Sequence, residues 1–352
     1  RINITGANFP TGAYVSSVEP DRLDANKVMV TFSNYEVISV FYTTDGGQTW
    51  NPTGWSRSQV DRDIIQRLQL NPGNPDILLI STRNGVFRSV NCGTTWTQVK
   101  TGHFYDIEFR PGSSDTVYTT NGSGLYRSVN KGQSFTLLNT GLGGGRVSLA
   151  VTQANPDIVY SLSETGTFKK STNNGQSFTL TASKPTDVIT MYGYYDCVLA
   201  ASPLNQDIVF VGGMDVVRST DGGNTWTQVS NTSGINTIHV DFHSLEFVLN
   251  TSNIYAGSDG GIFKSVNQGG HWTNISSGLG IKQYYRISHS EQNPYTIYGG
   301  AQDNGTDQLQ GSAWRQVTGG DGMDNAVNYN DDSHVITSYQ NGAFLTSSDG
   351  GL

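Results

Sequence analysis

Ser219-Thr220-Asp221-Gly222-Gly223-Asn224-Thr225-Trp226 is the stretch on which the fold turns. An Asp and two Gly residues stand between β-branched and aromatic neighbours. Gly tolerates positive φ, and an Asp side chain can bond back to nearby backbone amides, so the stretch reads as a tight turn between two strands. The Trp opens the next strand with a large apolar surface to bury.

The pattern recurs along the chain. Thr43–Trp50, Ser89–Trp96, Ser128–Phe135, Ser171–Phe178 and Ser265–Trp272 repeat it, and Ser347-Ser348-Asp349-Gly350-Gly351-Leu352 begins another copy. The Asp or Asn falls at 45, 91, 130, 173, 221, 267 and 349, spaced 39 to 48 residues apart with one gap of 82. That gap holds a decayed copy near Gln310-Gly311-Ser312-Ala313-Trp314. Each unit has the same grammar: a strand ending at a Pro-containing loop such as Asn155-Pro156, a second strand such as Asp157-Ile158-Val159-Tyr160, a third such as Gly261-Ile262-Phe263-Lys264, then the turn and a fourth strand. A period of roughly 40–45 residues with four strands per unit predicts a β-propeller blade.

The fold expected for residues 1–352 is therefore all-β: a single propeller of four-stranded antiparallel blades, eight by the repeat count. A seven-bladed ring, or a fragment of a tandem propeller, is the alternative. Arg1-Ile2-Asn3-Ile4-Thr5-Gly6 resembles the fourth strand Trp272–Ser276, so the N-terminal strand is expected to close the last blade beside Ala343-Phe344-Leu345-Thr346 and hide its open edge.

The formal net charge is −8, 35% of residues are hydrophobic and 42 are Gly, which suits short strands with many turns. An acidic chain without a Lys/Arg run argues against nucleic acid and anionic membrane surfaces. No apolar run is long enough to span a bilayer. Cys92 and Cys197 fall in different repeats, and no disulfide is expected between them.

Ser-x-Asp-x-Gly-x-Thr-Trp resembles the Asp-box, or bacterial neuraminidase repeat, of sialidases, sortilin-type receptors and xyloglucanases. In those proteins the box shapes a peripheral turn and carries no chemistry. A wider resemblance rests on Tyr194-Tyr195-Asp196, His239–Phe247, Gly257-Ser258-Asp259-Gly260-Gly261-Ile262, Gly299–Thr306 and Gly319-Gly320-Asp321-Gly322, in that order. This series is similar to the sortilin-like, glycosyl-hydrolase-like repeat proteins exported by Bacteroidetes-type bacteria. The resemblance implies an extracellular or cell-surface location and one module of a longer surface protein.

Three groups are candidates for chemistry. His239, Asp241 and His243 alternate along an expected strand, which would put all three on one face; two imidazoles and a carboxylate there could bind a divalent metal, act as acid and base, or simply line a channel wall. Asp303 and Asp321 stand in Gly-rich turns of neighbouring repeats, with Asp259 and Asp324 close in pattern. Paired carboxylates about 5–10 Å apart are what glycoside hydrolysis requires, although an Asp in a Gly turn more often bonds backbone amides. Gln302, Asn304 and Asn325 add amides suited to sugar hydroxyls. Tyr194, Tyr195, Tyr284, Tyr285 and Tyr339 could stack on sugars or pack between blades. Arg67, Arg146, Arg286 and Arg315 match no sialidase arginine triad, and no Ser-His-Asp order or phosphate loop is present. The sequence thus favours a scaffold or adhesive module that binds a glycan or a surface protein through His239, Asp241, His243, Gln302, Asn304 and Asp321. The alternative is a glycoside hydrolase of xyloglucanase or sialidase-like type using Asp241, Asp303 or Asp321.

Overall fold

A computed structural model describes residues 14–33, 38–55, 64–181, 185, 188–189, 192–230 and 238–351. Among these residues the only helical element is a single 3-10 turn, Gln340–Gly342, and none is long and apolar enough to cross a membrane. Among the described residues eight antiparallel sheets follow one another, seven of four strands and a last one of three. They run as meanders: Tyr14–Pro20 to Asn51–Pro52, Ile65–Leu70 to Thr97–Thr101, Phe104–Phe109 to Thr136–Thr140, Val147–Val151 to Thr179–Leu180, and Val198–Ala201 to Thr227–Gln228. Phe242–Phe247 to Thr273–Asn274, Tyr284–His289 to Ala313–Gln316, and the three strands Gly322–Asn328, Asp331–Tyr339 and Ala343–Ser347 complete the series. The expected partner of that last strand, Ile2–Ile4, lies outside the described residues.

The chain forms two compact units. One comprises Arg1–Thr237, Asp241–Ala256 and Lys264–Thr273; the other comprises Ile238–Val240, Gly257–Phe263 and Asn274–Leu352. Within the first, the opening strand of each sheet lies against the opening strand of the next, so these strands form an inner wall.

The copies of the turn share a core of hydrogen bonds in which the Ser or Thr hydroxyl bonds the Asp or Asn side chain and the following Gly amide. In the Asp221 copy, Ser219 Oγ donates to Asp221 Oδ1 at 2.8 Å and accepts from Gly223 N at 2.8 Å. Thr225 N donates to Asp221 Oδ1 at 2.8 Å, and Thr225 Oγ1 donates to Asp221 Oδ2 at 2.7 Å. The hydroxyl and amide of Thr225 hold the Asp221 carboxyl down to about 2, and Thr49 does the same for Asp45. Where Asn replaces Asp, the hydroxyl reverses its role: Asn130 Nδ2 donates to Ser134 Oγ at 3.0 Å, while Ser134 N still donates to Asn130 Oδ1 at 3.1 Å. A hydroxyl that both donates and accepts is what lets Asp and Asn serve in one turn. The decayed copy is a shorter hairpin, Gln310 pairing with Ala313 around Gly311 at φ 67°.

The hydrophobic core is a series of slabs between neighbouring sheets. Met29, Val40 and Trp55 meet Leu68 and Ile80; Leu79 and Val86 meet Phe104 and Ile107; Tyr118 and Leu125 meet Leu149 and Val159; Tyr160 and Phe168 meet Val209 and Val211. Fully burying one such side chain contributes about 1.5–3 kcal/mol. The aromatic after a turn can reach back to the preceding sheet: Trp226 sits edge-on to Phe168 at 5.0 Å, and Trp272 Nε1 donates to Val229 O at 2.8 Å.

Candidate functional site

The second unit brings together most of the turn residues named from sequence. Asp303 adopts φ 55°, and its amide donates to Asp321 Oδ1 at 2.8 Å. Gly305 N donates to Gly320 O at 2.7 Å, so the two Gly-rich turns are zipped side by side. Asp321 N donates to Gln340 Oε1 at 2.8 Å. Asn304 Nδ2 donates to Asp259 O at 3.2 Å and to Gln302 O at 2.9 Å, which fastens the Asp259 turn to the same place. His239 arrives here as well: its Nε2 lies 2.6 Å from Asp303 O and its Nδ1 3.0 Å from Val240 O.

Beside these turns lies a groove of about 370 Å³ lined by Tyr285, Arg286, Met323, Asp324, Tyr339 and Phe344. Desolvation, then the Asp321 and Asp303 carboxylates, push the Tyr285 hydroxyl upward, so Tyr285 belongs both to the groove and to the carboxylate pair. Phe344 is 68% exposed and offers an open aromatic face. Asn325 is elsewhere: it is buried, and with its amide oriented to satisfy both ends it donates to Tyr298 O at 3.1 Å and accepts from Gly300 N at 3.3 Å. Tyr284 is likewise part of a packed cluster, its hydroxyl donating to the buried Asp307 at 2.9 Å and its ring stacked on Trp314.

The shared face expected for His239, Asp241 and His243 is not formed. The strand begins only at Phe242, and Asp241 turns the chain through φ 62° just before it. Strand periodicity therefore applies to His243 alone. Among the described residues no group of three or more His, Cys, Asp or Glu side chains is placed to hold a metal ion. Asp241 and His243 instead face Asp196 in the first unit, and His243 packs edge-on against Tyr195 at 4.6 Å. Cys92 and Cys197 are both free, as expected.

Sequence reasoning missed a charged girdle on the inner wall of the first unit. Arg67 Nη2 lies 3.3 Å from Glu108 Oε1 and 3.5 Å from Glu246 Oε1, so it joins the opening strands of the second, third and sixth sheets. The second and sixth are not neighbours in the series, so this ion pair links sheets that do not follow one another. Burial pushes Glu19 up to about 7, opposed by Arg67, and it also raises Glu108 and Asp106. Protein surrounds these groups on most sides, yet the Arg67 side chain stays 33% exposed. The signal was present in the sequence: charged residues at alternate positions in otherwise apolar strands, as in Phe104-Tyr105-Asp106-Ile107-Glu108-Phe109.

No family model matches the chain. A stretch of 99 residues, 25% of this chain, is 29% identical to xyloglucanase Xgh74A of Acetivibrio thermocellus and covers 12% of that protein. Among solved structures, the GH74 xyloglucanase from Xanthomonas campestris matches with a TM-score of 0.69 at 16% identity, over 96% of this chain and 59% of that one. YCF48 bound to the D1 peptide matches with a TM-score of 0.57 at 16% identity, over 88% of this chain and 95% of that one. The chain thus spans less than two thirds of the xyloglucanase structure and a small part of the curated relative. At these identities the likeness carries fold alone, and together with the eight meandering sheets it makes this chain an all-β protein of the β-propeller class.

Proposed function

We propose that this chain handles a β-glucan of the xyloglucan kind outside the bacterial cell, as a glycoside hydrolase rather than as a passive adhesive scaffold. The observation that carries this reading is the Asp303–Asp321 pair at the Tyr285 end of an aromatic groove. Tyr285, Tyr339 and Phe344 supply apolar faces on which sugar rings stack, and Arg286 and Asp324 supply polar contacts between them. Glycoside hydrolysis needs one carboxyl group to protonate the leaving oxygen and a second to act as base or nucleophile. Asp321, oriented by an amide hydrogen, takes the second role, and Asp303 on its left-handed turn takes the first. The partial match to a protein named xyloglucanase favours that substrate class.

A binding-only reading has one observation in its favour, that an oxygen of Asp321 is occupied by a backbone amide. Incubation with xyloglucan and other β-glucans, followed by reducing-end and product analysis, separates the two. The hydrolase reading expects products, and a loss of about 10²-fold or more in Asp303→Asn and in Asp321→Asn. Affinity for xyloglucan without products leaves the binding module. Turnover untouched in both variants removes these residues from the chemistry.

A further inference from the structure

Asp196 is fully buried, and neither of its carboxylate oxygens has a hydrogen-bond partner. Leaving a buried carboxylate unpaired is costly, so the closed site favours the neutral acid. The residue ends a turn in which Tyr195 N and Asp196 N both donate to Tyr192 O, at 2.7 and 3.0 Å. That turn displays three tyrosines, Tyr192, Tyr194 and Tyr195, exposed by 50%, 65% and 49%. The ionisable groups facing Asp196 are Asp241 and His243, at the entry to the strand Phe242–Phe247, and Arg146, ahead of Val147–Val151. Arg146 makes no ion pair with it: Nη1 donates to Tyr195 O at 3.0 Å and to Tyr194 O at 3.5 Å, clamping the turn by its carbonyls. Immediately after Asp196 the chain is pinned, Cys197 O accepting from Ser148 Oγ at 2.8 Å.

We propose that Asp196 is a proton-operated latch on the tyrosine turn 192–196, closed while its carboxyl group keeps its proton and released when the proton is lost to solvent. Ionised, the carboxylate is repelled by Asp241 and unpaired in the closed turn; swinging outward gives it water, and Cys197 stays fixed as the pivot. The presentation of Tyr194 and Tyr195 therefore depends on pH. Burial, opposed by the residue's own amide and by His243 and Arg146 and reinforced by Asp241, places this carboxyl at about 6 against an ordinary value near 3.8. The sign follows from that direction: the closed turn is favoured at low pH, and this stabilisation is lost as pH rises through about 6. The latch lies in the first unit and stands whether or not the groove of the second unit turns over glycan.

Amide hydrogen exchange of the whole chain, read by mass spectrometry in peptides covering 192–197 and corrected for intrinsic rates, tests it. Protection there should fall roughly tenfold between pH 5 and pH 7.5, while peptides from the core strand Val209–Gly212 hold theirs. Asp196→Asn, which cannot ionise, should give a flat profile. Unchanged protection in the wild type overturns the latch. So does an undiminished fall in Asp196→Asn, which would assign the effect to His243. Should that variant fail to fold, Asp241→Asn replaces it: removing the neighbouring charge must shrink the fall, and an equal fall overturns the proposal.

Discussion

Ser219 Oγ sits at the centre of one turn, donating to Asp221 Oδ1 and accepting from Gly223 N. Ser219→Ala leaves that buried amide without its acceptor, and a loss of about 1–3 kcal/mol in urea unfolding is expected. Asp221→Asn should differ little from wild type at neutral pH, because Asn holds the same place at 91, 130, 173 and 267 and Thr225 Oγ1 can accept from it instead. The two should separate in acid. The Asp221 carboxyl is held at about 2, so its contribution is present above the ordinary carboxylate range and lost as pH falls toward 2; Asn has nothing to lose there. Unfolding curves for both proteins between pH 2 and pH 5 check this, and identical acid limbs would refute it.

At the level of the element, each turn is also the knob by which one sheet seats on the previous one. A side chain at Gly223 would run into the Phe168 ring of the preceding sheet, and the residue stands at φ 96°, where a Cβ is strained in any case. Gly132 repeats the arrangement against Leu79 one sheet earlier. Gly223→Ala should therefore cost about 2–4 kcal/mol, from backbone strain and overpacking together. Gly112→Ala is the control: its φ is 74° but nothing lies within 4 Å of the added carbon, so only the strain of about 1–2 kcal/mol remains. Equal losses at both positions would show that the seating of the turn on its neighbour contributes nothing.

At the scale of the whole molecule, the girdle of Glu19, Arg67, Glu108 and Glu246 links sheets far apart in sequence. The Glu19 and Glu108 carboxyl groups are raised by burial, so the folded first unit keeps protons that the unfolded chain releases. Stability from these groups is full below the ordinary carboxylate range and is lost as pH rises through about 7, the value for Glu19. Unfolding followed by tryptophan fluorescence, to which Trp50, Trp55, Trp96, Trp226 and Trp272 of the first unit contribute, should show a lower midpoint at pH 8.5 than at pH 5. Glu108→Gln should flatten that dependence, and a wild-type profile already flat would refute it. The ion pairs themselves keep water and supply little, ~0–1 kcal/mol each.

The repeated turns, the strands between them and the number of sheets follow from residues close in sequence, because a turn hydrogen bond spans at most four residues and a meander pairs each strand with the next. The turn seven repeats into the chain was readable as decayed for the same reason, its Gly311 hairpin being local. The juxtaposition of Asp303 with Asp321 was half legible: both turns could be named, but the 2.8 Å bond between them comes from two Gly-rich turns meeting within one unit. The shared face of His239, Asp241 and His243 fails because strand alternation stops at Asp241, at φ 62°, a local break that no side-chain pattern announces. The partners of Arg67, the burial of Asp196 and its neighbours Asp241 and His243 were decided only by tertiary structure. Sequence proximity is blind to which strands of sheets that do not follow one another are linked, and a carboxyl group's charge state depends on what surrounds it in space.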